Sequence, residues 1–405
     1  MQLIVQKFGG TSVADAARIK AAAKRVTETF SNGNKVIVVV SARGKMTDDL
    51  LELAYEIDKR PSTRELDMLL STGEQMSCAL MAMAIHSLGF PAVSFSGRQI
   101  GITTDSTHTK ARIVNINADR ISAELSRNKI IVIAGYQGVD ENDNITTLGR
   151  GGSDTTAVAI AALLKADMCD IFTDVDGVYT SDPRIVPDAR KLAKISYDEI
   201  LELASLGAQV LNVRSIEVAK KYNVPLRVRP SFNDGSGTLI CREVSEMENI
   251  VVSGATVTKN EAKITIMGIP DRPGSAAKIF QELAEAKINV DVIIQNISSN
   301  GLADVTFTVL RDDLAFALET TERIKNKINA TGIIADDKIA KLSIVGIGMR
   351  SHCGIAEDLF RALADEEINI QMISTSEIKI SCVIDQKCAD RALVAVHKAF
   401  KLDRE

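Results

Sequence analysis

The chain has 405 residues, 45% of them apolar and 25% charged, which is the composition of a water-soluble globular protein too long for one compact core. A formal net charge of −5, with no run of lysines or arginines interleaved with aromatics, excludes nucleic acid as the expected partner. The longest apolar runs, 36–40 and 130–134, are too short to cross a bilayer, so no membrane role is expected. A polar loop begins at Lys7, before a signal-peptide core could fit, and this predicts a cytoplasmic protein. The six cysteines are scattered without metal-ligand spacing, so they read as free thiols and no side chain is assigned to a metal.

Leu3-Ile4-Val5 reads as a strand that runs into Lys7-Phe8-Gly9-Gly10-Thr11-Ser12. The two glycines let the backbone turn with bare N–H groups, and Ser12 with Asp15 reads as a capping box opening a helix over 14–30. Such a helix start receives phosphate, and Lys7 brings a cation to it. Lys35–Val40 is a second buried strand, followed by the polar loop 41–48 and a helix over 49–58. Ser71-Thr72-Gly73-Glu74 reads as a link into a helix over 76–88, with Glu74 favouring the dipole of its first turn. After the strand Ala92–Phe95, residues 96–119 are polar and turn-rich, and His108 reads as a surface residue. A strand over 129–134 leads to Leu148-Gly149-Arg150-Gly151-Gly152-Ser153-Asp154, where the glycines allow close backbone approach and Arg150 offers a planar fork. This is a second anion-receiving start, for a helix over 155–164. The strand 170–173 then enters the turn-rich loop 174–184. With neither a Walker A motif nor GxGxxG present, these cradles predict a phosphate-handling enzyme outside the common nucleotide folds.

In order and kind, the motifs at 7–13, 71–74, 148–154 and 173–184 resemble those of bacterial aspartokinases of the amino-acid kinase family. The resemblance implies an α/β fold with a central, mainly parallel sheet flanked by helices. It also implies transfer of the γ-phosphoryl group of ATP, with Mg2+, to the β-carboxylate of L-aspartate, giving 4-phospho-L-aspartate on the way to lysine, threonine and methionine. A carboxylate is already nucleophilic at neutral pH, so such a site needs positioning and charge stabilisation rather than a base. By this resemblance Lys7 steadies the transferring oxygens and Asp154 orients it. Phe8, Gly9, Gly10, Ser41, Thr173, Asp174, Tyr179, Arg184 and Gln209 meet the nucleotide. Ser41, Thr47, Glu74, Arg150, Gly151, Gly152 and Ser153 meet aspartate, Glu74 at its ammonium and Arg150 at its α-carboxylate. Gln209 stands where many relatives have lysine, which leaves a donor without the charge.

The kinase region is placed at 1–243 and a charged linker at 244–249. From 250 onward a strand–helix–strand–strand–helix pattern occurs twice, at about 263–337 and 340–400, and resembles ACT domains, the small-molecule sensors of amino-acid biosynthetic enzymes. The second copy runs out of strands, while 250–257 is β-rich and unpartnered; it is predicted to complete that copy's sheet. The resemblance implies effector contacts at Asp271, Gly274, Ala276, Asp291, Gln295, Asn296, Ile355, Asn369 and Ile370. Lysine, threonine or both are the effectors it implies, with homo-oligomers forming through the ACT domains and a shorter regulatory chain starting near Met247 in some relatives. A glutamate or acetylglutamate kinase, or a non-catalytic amino-acid sensor, are the alternative readings.

Overall fold

The structure, a computed structural model, describes residues 1–206, 211–242, 251–297 and 301–404. The chain divides into two compact units, Met1–Tyr179 with Lys191–Met247, and Thr180–Arg190 with Glu248–Glu405. The predicted linker 244–249 and Gln209 lie outside the described residues.

In chain order the first unit runs β1 (Leu3–Phe8), α1 (Ala16–Ser31), β2 (Lys35–Val40), α2 (Met46–Ile57), α3 (Thr63–Ser87) and β3 (Ala92–Phe95). It continues with β4 (Ile102–Thr104), β5 (Ile113–Ile116), α4 (Asp119–Ser126), β6 (Ile130–Ala134), β7 (Gln137–Val139), β8 (Ile145–Thr147) and α5 (Gly152–Leu164). The rest is β9 (Met168–Thr173), β10 (Lys194–Ser196), α6 (Tyr197–Ser205), α7 (Val213–Tyr222), β11 (Leu226–Pro230) and β12 (Thr238–Cys241). The main sheet has the order β10-β12-β11-β9-β1-β2-β6-β3 and is parallel except where β11 meets β12. Helices cover both faces of a parallel sheet, which is why β2 and β6 are unbroken apolar runs rather than alternating ones. Val36, Val38, Val40, Ile130 and Val132 pack with Ile19, Val26, Met81 and Ile85 of α1 and α3 in one core. A small second sheet, β5-β4-β7-β8, occupies part of the stretch read as turns.

Two local expectations are corrected. Ser12 does not cap α1: residues Gly10–Val13 form a 3-10 turn, and Asp15 is the N-cap, accepting from Arg18 N–H at 2.9 Å. Ser71–Glu74 is no link but the middle of α3, which runs unbroken because Ser71 and Thr72 return their hydroxyls to the Met68 and Leu69 carbonyls at 2.9 and 2.7 Å. By length and composition α3 could span a bilayer, yet half of its most apolar window is buried inside the unit and it carries the buried Asp67 and Glu74, as a core helix does.

The second unit contains β13 (Gly254–Pro270), α8 (Ser275–Glu285), β14 (Ile293–Ile297), β15 (Leu302–Leu310), α9 (Leu314–Ile328) and β16 (Gly332–Val345). After these come α10 (Ile355–Asp365), β17 (Ile370–Thr375), β18 (Lys379–Asp385) and α11 (Ala389–Ala399). One antiparallel sheet, β14-β15-β13-β16-β18-β17, holds both repeats. The sequence reading separates 263–268 from 250–257 and 341–346 from 332–335; the structure fuses 254–257 with 263–268, and 332–335 with 341–345, into one long strand each, shared by both repeats. The polar residues between them, with neither glycine nor proline, are held in the ladder, with irregular register around Glu261. Gly254–Thr258 pairs with Lys341–Val345, on the sheet where the sequence reading puts 250–257. The excursion Thr180–Arg190 belongs here too: Val186 enters the core of α10 and α11, and Thr180 Oγ1 lies 3.0 Å from the buried His397 Nε2.

Candidate active site

The β1 register sets the site. Alternation along β1 turns Phe8 into the α1 and α3 core, where it stacks on Phe172, and leaves Lys7 to the other face. There Lys7 Nζ reaches Asp154 Oδ1 of α5 at 2.6 Å, and both side chains are nearly enclosed. The Gly9 N–H donates to the Phe172 carbonyl at 3.2 Å, and the Ser41 N–H to the Phe8 carbonyl at 3.1 Å, tying the strand ends together. A Cβ at Gly10 would stand 2.7 Å from the Ala42 carbonyl oxygen, so only glycine lets these two loops touch.

Glu74 projects from α3 toward the same β2 loop and is 3% exposed. Its Oε1 accepts from the Ala42 N–H at 3.0 Å, while the buried Oε2 has no partner among the described residues. Burial pushes its carboxyl up to about 7 against the pull of the Ala42 amide. A buried carboxylate with a vacant oxygen is a receptor for a cation.

Arg150 is exposed, and its guanidinium has no partner among the described residues. Its backbone, by contrast, is fixed. Asn212 Nδ2, at the start of α7, donates to the Arg150 carbonyl at 2.9 Å, and Arg214 Nη1 donates to the Leu148 carbonyl at 2.7 Å. Gly151, with φ +69°, caps α5 in the left-handed region and packs against the Asn212 side chain; the Gly152 N–H donates to the Gly149 carbonyl at 2.9 Å, which leaves the N–H groups of the buried Ser153 and Asp154 as the donors of this helix start. Ser41 and Thr47 are half-buried in the loop after β2 and the first turn of α2.

The nucleotide-loop residues are less gathered. Thr173 Oγ1 donates to Asp174 at 3.1 Å and the Tyr179 hydroxyl to Asp176 at 2.8 Å, both in the first unit. Arg184 falls in the excursion that belongs to the second unit, where Asp182 holds its exposed guanidinium at 2.7 Å.

In the second unit Asp271, Gly274, Ala276 and Gln295 line a common pocket with Arg272 and Ser275, at the turn where β13 enters α8. Asp291 is not among its walls: its carboxylate pairs with Lys341, which also pairs with the buried Glu261. Asn296 and Asn369 are exposed, Ile370 is half-buried, and Ile355 packs against the core of the second repeat, so these four stand apart from the pocket.

Sequence reasoning missed several groups around Arg150. His108 is no surface residue, because its Nδ1 donates to the buried Asp67 at 2.7 Å. Tyr136 adopts φ +70°, rare for a bulky residue, and burial pushes its phenol pKa up. Asn212 and Arg214 were equally silent. Only an acid at helical spacing before Glu74 could have pointed to Asp67.

Residues 2–230 match the amino acid kinase family, and 263–328 and 342–400 each match an ACT domain. The chain is 54% identical to an aspartokinase of Pseudomonas aeruginosa, covering 100% of this chain and 98% of that one. It is similar to the solved structure of E. coli aspartokinase III in complex with aspartate and ADP, with a TM-score of 0.81 at 25% identity over 98% and 99% of the two chains. The same enzyme in complex with lysine and aspartate gives 0.77 at 25% identity over 99% and 100%. The chain belongs to the amino acid kinase family, in its aspartokinase branch with two ACT domains.

Proposed function

We propose that the first unit transfers the γ-phosphoryl group of ATP to the β-carboxylate of L-aspartate, and that this rate is set by an amino acid bound to the second unit. The observation that carries the substrate assignment is the vacant Glu74 Oε2, buried beside the β2 loop. It calls for a free α-ammonium, which L-aspartate has and N-acetylglutamate lacks. The exposed fork of Arg150 suits the α-carboxylate.

A β-carboxylate oxygen attacks the γ-phosphorus, and the bond from that phosphorus to the β,γ-bridging oxygen breaks. The products are 4-phospho-L-aspartate and ADP. Lys7 neutralises charge on the oxygens in transfer, and the Asp154 carboxylate keeps the ammonium aimed at them. The helix start at Ser153 and Asp154 and the Gly10 amide add fixed dipoles. Mg2+ would arrive with ATP and neutralise phosphate charge; Asp154 and Asp174 are hard oxygen donors of the kind it takes alongside phosphates. Ser41, Thr173, Asp174 and Tyr179 are assigned to the nucleotide, and Ser41, Thr47 and Ser153 to aspartate, whereas Phe8, sealed in the α1 and α3 core, serves to aim Lys7 to the other face. The division into a kinase region 1–243 and a regulatory region from 250 belongs to the same reading, as does an entry reaction toward lysine, threonine and methionine in the cytoplasm.

Lysine or threonine is the proposed effector, entering the pocket of Asp271, Gly274, Ala276 and Gln295, where the turn before α8 offers N–H groups to an α-carboxylate. Assembly through the ACT region completes the proposal.

The test is ADP release with L-aspartate, L-glutamate and N-acetyl-L-glutamate, with hydroxylamine trapping of the acyl phosphate. Aspartate-dependent turnover with the hydroxamate of aspartate is expected. Faster turnover with either glutamate compound overturns the substrate.

A further inference from the structure

Asp67 lies seven residues before Glu74 on α3, two helical turns back on the same face and roughly 10 Å along the axis. It has no exposed surface. Every donor that meets it comes from elsewhere in the chain. The Thr109 N–H donates to both of its oxygens at 3.0 Å, His108 Nδ1 to Oδ2 at 2.7 Å, and Thr147 Oγ1 to Oδ1 at 2.5 Å. These donors sit on two segments that frame Arg150. Thr147 ends β8, three residues before Arg150, and its carbonyl accepts from the Ala111 N–H at 2.9 Å. The Thr109 carbonyl lies 3.0 Å from where a Cβ of Gly149 would be. From the other side Arg214 holds the Leu148 and Ala111 carbonyls at 2.7 and 3.0 Å.

A buried carboxylate is costly to desolvate unless donors surround it, and where it is surrounded it fixes those donors in place. We propose that Asp67 is a positioning residue that sets the separation of Glu74 and Arg150, and so the grip on the α-amino-acid end of the substrate. It touches no substrate. One helix carries both Glu74 and the anchor of the loop bearing Arg150, so the distance between ammonium and carboxylate receptors is set through α3 as well as through the loop backbone. The inference rests on the aspartate reading above.

The test compares Asp67→Asn and Thr147→Val with the unaltered full-length chain. Asn keeps the volume and an acceptor but replaces the second acceptor with a donor, which faces His108 where it takes the place of Oδ2 or Thr147 where it takes the place of Oδ1. Val keeps the strand shape and removes one donor. The KM for aspartate is expected to rise on the order of tenfold in Asp67→Asn and several-fold in Thr147→Val, with kcat and the KM for ATP within twofold. The double variant should cost less than the product of the two, because both break one interaction. A general loosening of the fold would move kcat and both KM values together, and that result overturns the proposal, as does an unchanged aspartate KM. If Asp67→Asn does not fold, Thr147→Val decides by the same criterion. A wild-type chain that neither binds nor phosphorylates aspartate overturns the function itself, and the positioning role with it.

Discussion

Lys7 Nζ and Asp154 Oδ1 stand 2.6 Å apart, joining the end of β1 to the first turn of α5. The pair is nearly enclosed, so the carboxylate does two things at once: it offsets the burial of the ammonium and removes its rotational freedom.

Lys7→Ala should therefore cripple transfer without unfolding the first unit, since β1 is held by its ladders to β2 and β9. A fall in kcat on the order of a hundredfold or more is expected, with the KM for aspartate little changed. Steady-state ADP release beside a thermal melt checks it. Near-normal kcat would remove Lys7 from the chemistry.

Glu74 should make the use of aspartate depend on pH. With its carboxyl raised to about 7 by burial, the ligand-free site is neutral in acid and cannot attract an ammonium. The value of kcat/KM for aspartate should fall up to about tenfold per unit below pH 7. In Glu74→Gln it should be low and flat. The linkage has a definite sign: the folded value lies above the ordinary carboxyl value of 4.5, so this group's contribution to stability is full below 4.5 and is lost as pH rises through 7. Aspartate, by pairing the ionised form, should raise the melting temperature more at pH 8 than at pH 5.5. An equal rise at both would show that Oε2 does not meet the ammonium.

Arg150→Lys should weaken aspartate binding on the order of tenfold while leaving the KM for ATP alone, because an ammonium cannot reproduce a fork of two parallel bonds. The loop itself is held through backbone carbonyls by Asn212 and Arg214, so the substitution leaves its path intact. An unchanged aspartate KM would move the α-carboxylate elsewhere.

Asp271 and Lys341 separate regulation from stability. Asp271→Ala, in the wall of the effector pocket, should relieve inhibition by lysine or threonine and leave the uninhibited rate unchanged, whereas Asp291→Ala, outside that pocket, should leave both unchanged because Lys341 keeps its buried partner Glu261. Retained full inhibition in Asp271→Ala would take Asp271 out of the effector site. Lys341→Ala, in contrast, strands Glu261, whose carboxyl burial already raises, and should cost about 3 to 5 kcal/mol in denaturant unfolding of the second unit.

Much of this molecule could be read along the chain, because the signals involved are local. Apolar runs with no alternation mark strands covered on both faces, as in β2 and β6, and glycines beside a lysine or an arginine mark turns that meet anions, as at Gly9 and Gly151. Four such stretches in order were enough to reach the family. The repeat after residue 250 was legible for the same reason, each copy carrying its own strand and helix signals.

What the tertiary structure decided depends on who meets whom across the fold. Hydroxyl groups at Ser71 and Thr72 look like a helix break until their bonds to the preceding turn are seen, and only then does Glu74 fall mid-helix, buried with an open oxygen. His108 reads as solvent-facing because no neighbour in sequence accounts for it; its partner Asp67 lies forty-one residues away. The fusion of β13 and β16 through both repeats, and the burial of Val186 with α10 and α11, likewise rest on ladder register and core packing. Propensity and pattern act over a few residues. Register, burial and the choice of hydrogen-bond partner are settled only when distant segments compete for the same space.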